Sequence, residues 1–155
     1  MMMNTEHEHY MRIALEEAQK AYDKREVPVG AIVVHEGMII GRGHNLRETT
    51  QNPTTHAEMI AIEEASAHLK SFRLEDCTMY ITLEPCVMCS GAIVLSRVAR
   101  VVYGASDPKG GTAGSLMNLL EEPRFNHRVS VTRGILESEC SHMLKSFFRL
   151  LRTQK

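Results

Sequence analysis

Two short clusters in this chain carry residue types able to do chemistry. One is Cys86-Val87-Met88-Cys89, which follows Pro85, and the other is His56-Ala57-Glu58, which follows Pro53-Thr54-Thr55. Proline is favoured in the first turn of a helix, where its missing N–H is not needed, so Pro85 reads as a helix opening. Residues three apart share a helix face, which aims both sulfurs the same way. The unpaired amides of a helix start also favour thiolate over thiol. Two soft anionic ligands are thereby preformed at one point. A Cys-x-x-Cys alone also fits a redox pair or half of a structural zinc knuckle. A closed structural site would need four protein ligands. The other cysteines, Cys77 at a strand start and Cys140 on the apolar stripe of the last helix, read as small buried hydrophobes.

The second cluster also has a purely structural reading, because Thr55 and Glu58 have the spacing of a capping box, in which Glu58 would bond back to the Thr55 amide. The two clusters together point elsewhere. One imidazole and two thiolates leave the fourth tetrahedral position to water, the open arrangement of a catalytic zinc. Zinc lowers the pKa of such a water toward about 7. A carboxylate next to the imidazole, not needed as a ligand, is then suited to carry the proton. His-x-Glu upstream of Pro-Cys-x-x-Cys is also the known signature of zinc nucleobase deaminases.

These residues need elements to hold them. Met11, Ala14, Leu15, Ala18, Ala21 and Tyr22 recur at three and four, which predicts an amphipathic helix over 7–23. Apolar runs 29–34 and 38–41 flank His35-Glu36-Gly37 and read as a hairpin. Residues 45–54 read as loop, 55–69 as helix, 77–82 as a buried strand, 85–96 as a short helix and 99–103 as a strand. A Gly-rich loop over 104–114 precedes a helical turn or two at 115–120, a strand at 129–132 and a last helix over 136–152. A hairpin followed by alternating strands and helices implies a three-layer α/β/α sandwich with a central mixed sheet of about five strands. No linker or repeat divides the 155 residues, so 1–155 is expected to be one domain. Residues 1–4 and 153–155 are expected to be loose ends.

No apolar run approaches the roughly 18 residues of a membrane span, and the opening residues lack the basic start and apolar stretch of a signal peptide. A cytoplasmic protein is expected, with reduced cysteines. The net charge of −1 argues against an indiscriminate nucleic-acid binder. The charge is unevenly spread, however. Residues 1–96 hold 8 Lys+Arg against 14 Asp+Glu, and residues 97–155 hold 10 against 5, so the second part is suited to a polyanion.

Over about residues 10–152 the sequence resembles the tRNA adenosine deaminases of the cytidine deaminase-like superfamily. The resemblance rests on Val27-Pro28-Val29-Gly30-Ala31, His44-Asn45, His56-Ala57-Glu58-Met59, Glu84-Pro85-Cys86-Val87-Met88-Cys89, Gly104-Ala105-Ser106-Asp107-Pro108-Lys109, Asn126-His127-Arg128-Val129 and Phe147-Phe148-Arg149. It implies a hydrolase that converts adenosine to inosine at the wobble position of a tRNA anticodon. It further implies one Zn²⁺ per subunit on His56, Cys86 and Cys89, Glu58 as proton shuttle, Asn45 hydrogen-bonded to the flipped base, and a homodimer that binds the anticodon stem-loop near its interface.

The residues themselves bear on RNA at two places. Lys145, Arg149 and Arg152 share one face of the last helix with His142 beside them, opposite an apolar stripe of Cys140, Met143, Leu144, Phe147 and Leu151. Such a face is either a phosphate contact or simply solvated. Phe148 falls between the two faces, where it stacks on an unpaired base or edges the core. Asp107 is either an Asp-Pro turn starter or an acceptor for the ribose 2′-OH, the donor that distinguishes RNA from DNA. Two rival functions remain open: a deaminase of a free base or nucleoside of the cytosine or guanine type, and a noncatalytic zinc-stabilised RNA-binding module in which Glu58 only caps its helix.

Overall fold

The computed structural model describes residues 2–154. The chain runs α1 (Met2–Asp23), β1 (Gly30–His35), β2 (Met38–His44), α2 (Arg47–Thr50), α3 (Ala57–Leu69), β3 (Cys77–Leu83), α4 (Val87–Leu95), β4 (Arg100–Ala105), β5 (Ser130–Thr132) and α5 (Glu137–Thr153). The five strands form one sheet in the order β2-β1-β3-β4-β5, with β1 antiparallel to β2 and β3, and β3, β4 and β5 mutually parallel. This is the expected central mixed sheet of five strands.

Period-two alternation sorts the strand residues onto two faces. Ala31, Val33, Met79, Ile81, Val101 and Tyr103 pack under Ala57, Ala61 and Ala65 of α3 and Ile93 of α4. Ile32, Val34, Tyr80 and Val102 pack against Met11 and Ala14 of α1 and Cys140 and Leu144 of α5. Helices therefore cover both faces, and the sandwich has three layers. The hairpin closes on Glu36 and Gly37, both at positive φ (51° and 76°), the pairing that a two-residue turn matched to strand twist requires.

Close approach decides where α3 sits. A Cβ at Gly43 would collide with the carbonyl oxygen of Ala57, and one at Gly41 with that of Ala61, so the helix backbone lies directly on β2. Its N-terminus is thereby brought to the sheet end where β2, β3 and β4 finish, the end at which open α/β sheets bind ligands.

Several expectations are corrected. Residues 45–54 contain the four-residue helix α2, and β2 continues to His44. Residues 115–120 form turns with an isolated bridge between Ala113 and Asn118, not helix, because their amides bond to acceptors elsewhere in the chain. Helix α1 begins at Met2 and α5 ends at Thr153, so of the expected loose ends only Met1 and Lys155 fall outside the described residues. The early turns of α1 are tied down by His7 Nδ1, 2.8 Å from the Tyr80 hydroxyl, and by Tyr10, whose ring lies 5.2 Å from that of Tyr80. Among the described residues no helix is long and apolar enough to cross a membrane.

Candidate functional site

Two helix starts converge at this sheet end. His56 is the extended N-cap residue of α3 (φ −81°, ψ 155°), and Cys86 is the extended N-cap residue of α4 (φ −79°, ψ −179°), with Cys89 in the first turn. An extended residue ahead of a helix turns its side chain across the helix end. The main-chain bonds Ile60 N–H to His56 O and Ser90 N–H to Cys86 O, 3.1 and 2.8 Å, anchor both caps. The capping-box reading is corrected: α3 begins after His56, and Thr55 donates its hydroxyl to the Asn52 carbonyl instead. Glu58 lies in the first turn of α3 and is 4% exposed.

His56 Nδ1 stands 3.6 Å from Cys86 Sγ and 3.5 Å from Cys89 Sγ, and all three donor atoms lie within 4.8 Å of one another. A tetrahedral zinc with bonds of about 2.3 Å to sulfur and about 2.05 Å to nitrogen sets N and S roughly 3.6 Å apart. The spacing fits that ion, and the donor types suit it. Cys77 and Cys140 are buried away from this group, as small hydrophobes.

Hydrogen bonds from the Cys89 thiol and from His56 hold Cys86 down at about 3, despite burial. Cys89, the donor in that pair and itself buried, is held far above the ordinary thiol range. The bond to Cys86 raises His56. Cys86 is thus favoured as thiolate beside two proton donors, whose place a bound cation would take. Burial pushes the Glu58 carboxyl up to about 7, with His56 acting the other way.

A cavity of about 150 Å³ opens beside this cluster, lined among others by Val29, Asn45, His56, Glu58, Leu83 and Asp107. Pockets that enclose drug-sized ligands start at about 300 Å³, so this one takes a single small ring system. Asn45 is fixed at its wall: its Nδ2 donates to the Val27 carbonyl (3.2 Å), its Oδ1 accepts from the Arg47 amide (3.1 Å), and its own amide donates to Val29 O (3.1 Å). One N–H and one lone pair of the carboxamide remain for a ligand. Asp107 forms the turn its Asp-Pro sequence predicts, its Oδ1 accepting from the amides of Lys109 and Gly110 at 3.1 Å each, yet it also lines the cavity.

The last helix flanks this pocket without entering it. Lys145, Arg149 and Arg152 are exposed, and Phe148, 43% exposed, meets the buried Phe147 edge to face. Lys145 and His142 border a cavity of about 410 Å³ with Ser106, on the loop that carries Asp107. None of Lys145, Phe148, Arg149 and Arg152 lines the reaction pocket.

Two buried carboxylates that sequence reasoning passed over shape the pocket walls. Glu84, 2% exposed, accepts from the amides of Asp107 (3.0 Å), Ala113 (3.0 Å) and Ser115 (2.9 Å) and from the Ser115 hydroxyl. Burial works against its ionisation, but these donors hold it below the usual carboxylate range. Glu26, 1% exposed, does the same for α2, accepting from the Glu48 and Thr49 amides at 3.0 and 2.5 Å and the Thr49 hydroxyl at 2.6 Å. The one sequence signal was Glu84, a lone acid in an apolar stretch, since Glu26 merely ends the charged run Asp23-Lys24-Arg25-Glu26; the donors lie 22 to 31 residues away.

The sequence pattern of the MafB19-like deaminases matches residues 5–152. The chain is also 58% identical over 151 residues to the tRNA-specific adenosine deaminase of Bacillus subtilis, covering 97% of this chain and 94% of that protein. The chain belongs to the MafB19-like deaminases and to the tRNA-specific adenosine deaminase family. A second relative in that family, from Streptococcus pyogenes, is 50% identical over 150 residues, covering 97% and 94% of the two chains. Among solved structures, the deaminase superimposes on a tRNA:A34 deaminase studied for A-to-I editing at the wobble position of transfer RNA, with a TM-score of 0.83 and 40% identity over 87% of this chain and 98% of that one. It is also similar to the guanine deaminase of Nitrosomonas europaea, with a TM-score of 0.78 and 25% identity over 90% and 83% of the two chains.

Proposed function

We propose that this deaminase hydrolyses adenosine to inosine at the wobble position, position 34, of a tRNA anticodon, as the tRNA:A34 deaminase it resembles does. The observation that carries the reading is the meeting of His56, Cys86, Glu58 and Asn45 in one cavity of single-ring-system size at the end of the sheet, with Cys89 completing the metal-ligating group. The whole chain serves as one deaminase domain. His56, Cys86 and Cys89 would hold one Zn²⁺ per subunit. When bound, the metal would supply a Lewis acid that makes water nucleophilic near neutral pH.

The remaining steps belong to the chain. Asn45, already oriented by Val27 and Arg47, offers its free N–H and lone pair to the edge of the purine. Glu58, walled from solvent, takes one proton from the attacking water and delivers it to the ring nitrogen N1, then takes the second from the resulting C6 hydroxyl and delivers it to the leaving amino group. The new bond is from the water oxygen to C6, the bond broken is C6–N6, and ammonia leaves. Unstacking a loop base costs less than opening a duplex, which favours a hairpin loop as substrate.

Around the pocket, Lys145, Arg149 and Arg152 meet phosphates, Phe148 stacks on an unpaired base, and Asp107 accepts from a ribose 2′-OH. A second copy of the chain completes the enzyme as a homodimer. Leu95, 78% exposed, and Phe125, 45% exposed, border one apolar cavity on the face of α4, the kind of surface that protein contacts cover. The thiols of Cys86 and Cys89 must stay reduced to bind metal, which suits the cytoplasm.

Mass spectrometry of an anticodon hairpin incubated with the purified, zinc-loaded protein tests the reading, the expected product being inosine at the wobble position. The likeness to a guanine deaminase supports a second reading, action on a free base. Turnover of free guanine or adenosine at a rate comparable to the hairpin would favour it.

A further inference from the structure

Beyond the reaction pocket, a second cavity of about 500 Å³ shares Val27, Asn45 and Arg47 with it and continues past Lys24 to Phe147 and Leu151 of α5. A strand leaving the pocket in this direction passes Lys24, Arg25 and Arg47. Two acids line the same cavity against these three cations: Glu26 has its oxygens taken by α2 and does not oppose a phosphate directly, and Glu48 is exposed on α2 with Gln51 Nε2 3.5 Å from its carboxylate.

Lys24 is not a loose surface lysine. Its Nζ stands 2.9 Å from His44 Nε2. An ammonium can only donate, so Nε2 is the acceptor and the ring proton sits on Nδ1, which faces Glu17 Oε1 at 3.3 Å. Glu17 is 3% exposed, and its other oxygen takes Lys20 Nζ at 2.7 Å with Arg42 at 3.7 Å. A buried carboxylate thus fixes an imidazole, and the imidazole fixes an ammonium that keeps two N–H groups for another partner. The reaction uses none of these three side chains. His44 also precedes Asn45, so one stretch of backbone sets the position of the base contact and of this cation.

We propose that Glu17 and His44 are positioning residues that hold Lys24 as a phosphate contact for the RNA strand on this side of the pocket, a role that rests on the tRNA reading above. A lysine that captures a phosphate from a disordered state loses rotamer freedom on binding. One already ordered by His44 loses less. The contact is lost when either Lys24 or the group that orients it is removed.

Steady-state deamination of an anticodon hairpin, with the salt dependence of hairpin binding, separates the possibilities. Lys24→Ala raises KM about tenfold and lowers kcat far less. It also reduces the slope of log Kd against log salt by about 0.7, the increment for one phosphate of a single strand. His44→Ala reproduces most of that effect, and the double variant is no worse than Lys24→Ala alone because both changes remove one contact. His44→Gln, which keeps an acceptor for Lys24 and a donor for Glu17, recovers most of the loss. A wild-type KM and salt slope in Lys24→Ala, or additive losses in the double variant, overturn the proposal. Lys24 is exposed, so its substitution leaves the fold intact and decides the matter even if the His44 variants unfold. A wild-type enzyme that converts free bases but leaves the hairpin untouched removes the tRNA reading, and the phosphate contact with it. Normal hairpin conversion with unchanged Lys24→Ala behaviour removes the phosphate contact alone.

Discussion

Glu84→Gln tests whether a buried carboxylate, and not local chain preference, builds the wall that carries Asp107. Glu84 Oε1 accepts from the Asp107 amide and the Ser115 hydroxyl, and Oε2 from the Ala113 and Ser115 amides. A glutamine must place its NH₂ on one side. On the Oε2 side it would face two backbone N–H groups. On the Oε1 side the Ser115 hydroxyl can turn to accept, which leaves only the Asp107 amide without a partner, so this is the cheaper arrangement. An unpaired donor costs about 1–3 kcal/mol, and the two surviving bonds lose their charge assistance. The sum is about 2–5 kcal/mol. At about 2–4 °C per kcal/mol for a chain of this size, thermal unfolding should move down by roughly 4–20 °C.

The pH dependence carries its own sign. The folded pKa of Glu84 lies below its unfolded value of 4.5, so its contribution is complete above about 4.5 and is lost as pH falls through the folded pKa. The gap between wild type and Glu84→Gln is therefore full at neutral pH and closes on acidification. Unfolding followed by circular dichroism at pH 7 and at pH 3 measures both quantities. A variant as stable as wild type at pH 7, or a gap that widens in acid, refutes the account of Glu84 as an ionised clamp.

Other expectations follow from the site. Glu58→Ala should lose at least about 10²-fold in rate, the lower scale for a general acid or base, while metal analysis still finds one zinc per chain; loss of the metal would show that the role is misassigned. Removing zinc with a chelator should lower the unfolding temperature, since an ion that binds only the folded chain stabilises it, and added Zn²⁺ should restore it. Asp107→Asn should reduce discrimination between RNA and DNA hairpins, and an unchanged turnover ratio would discard the 2′-OH contact. Leu95→Glu places a charge in the apolar face of α4 and should shift the sedimentation of the protein toward monomer, while a variant that sediments as wild type would move the interface elsewhere.

The residues of the candidate metal group could be picked out from the chain because each motif is local. Cys86 and Cys89 are three apart at the start of α4, and His56 and Glu58 flank the first residue of α3, so helix geometry alone gives each pair its direction. The apolar stripe of α5 was legible for the same reason: Cys140 and Phe147 are buried, and Arg149 and Arg152 are exposed. The first turns of α1 were not legible. Their pattern is polar, and what holds them is Tyr80, 73 residues away.

What the sequence determined by itself is therefore the chemistry available: an imidazole, two thiols and an acid at two helix starts, together with the periodicities that demand a covered sheet. Only the tertiary structure decided that these starts meet. It seated α3 on Gly41 and Gly43 of β2, and it brought the ends of β2, β3 and β4 into line. It also decided the loops. The amides of Asp107, Ala113 and Ser115 are satisfied by Glu84 and those of Glu48 and Thr49 by Glu26, so the placing of these loops follows from acceptors far along the chain, even where a local turn such as that of Asp107 shapes a part of them. A local hydrogen-bond pattern leaves its mark on nearby sequence. A buried carboxylate that gathers distant amides does not.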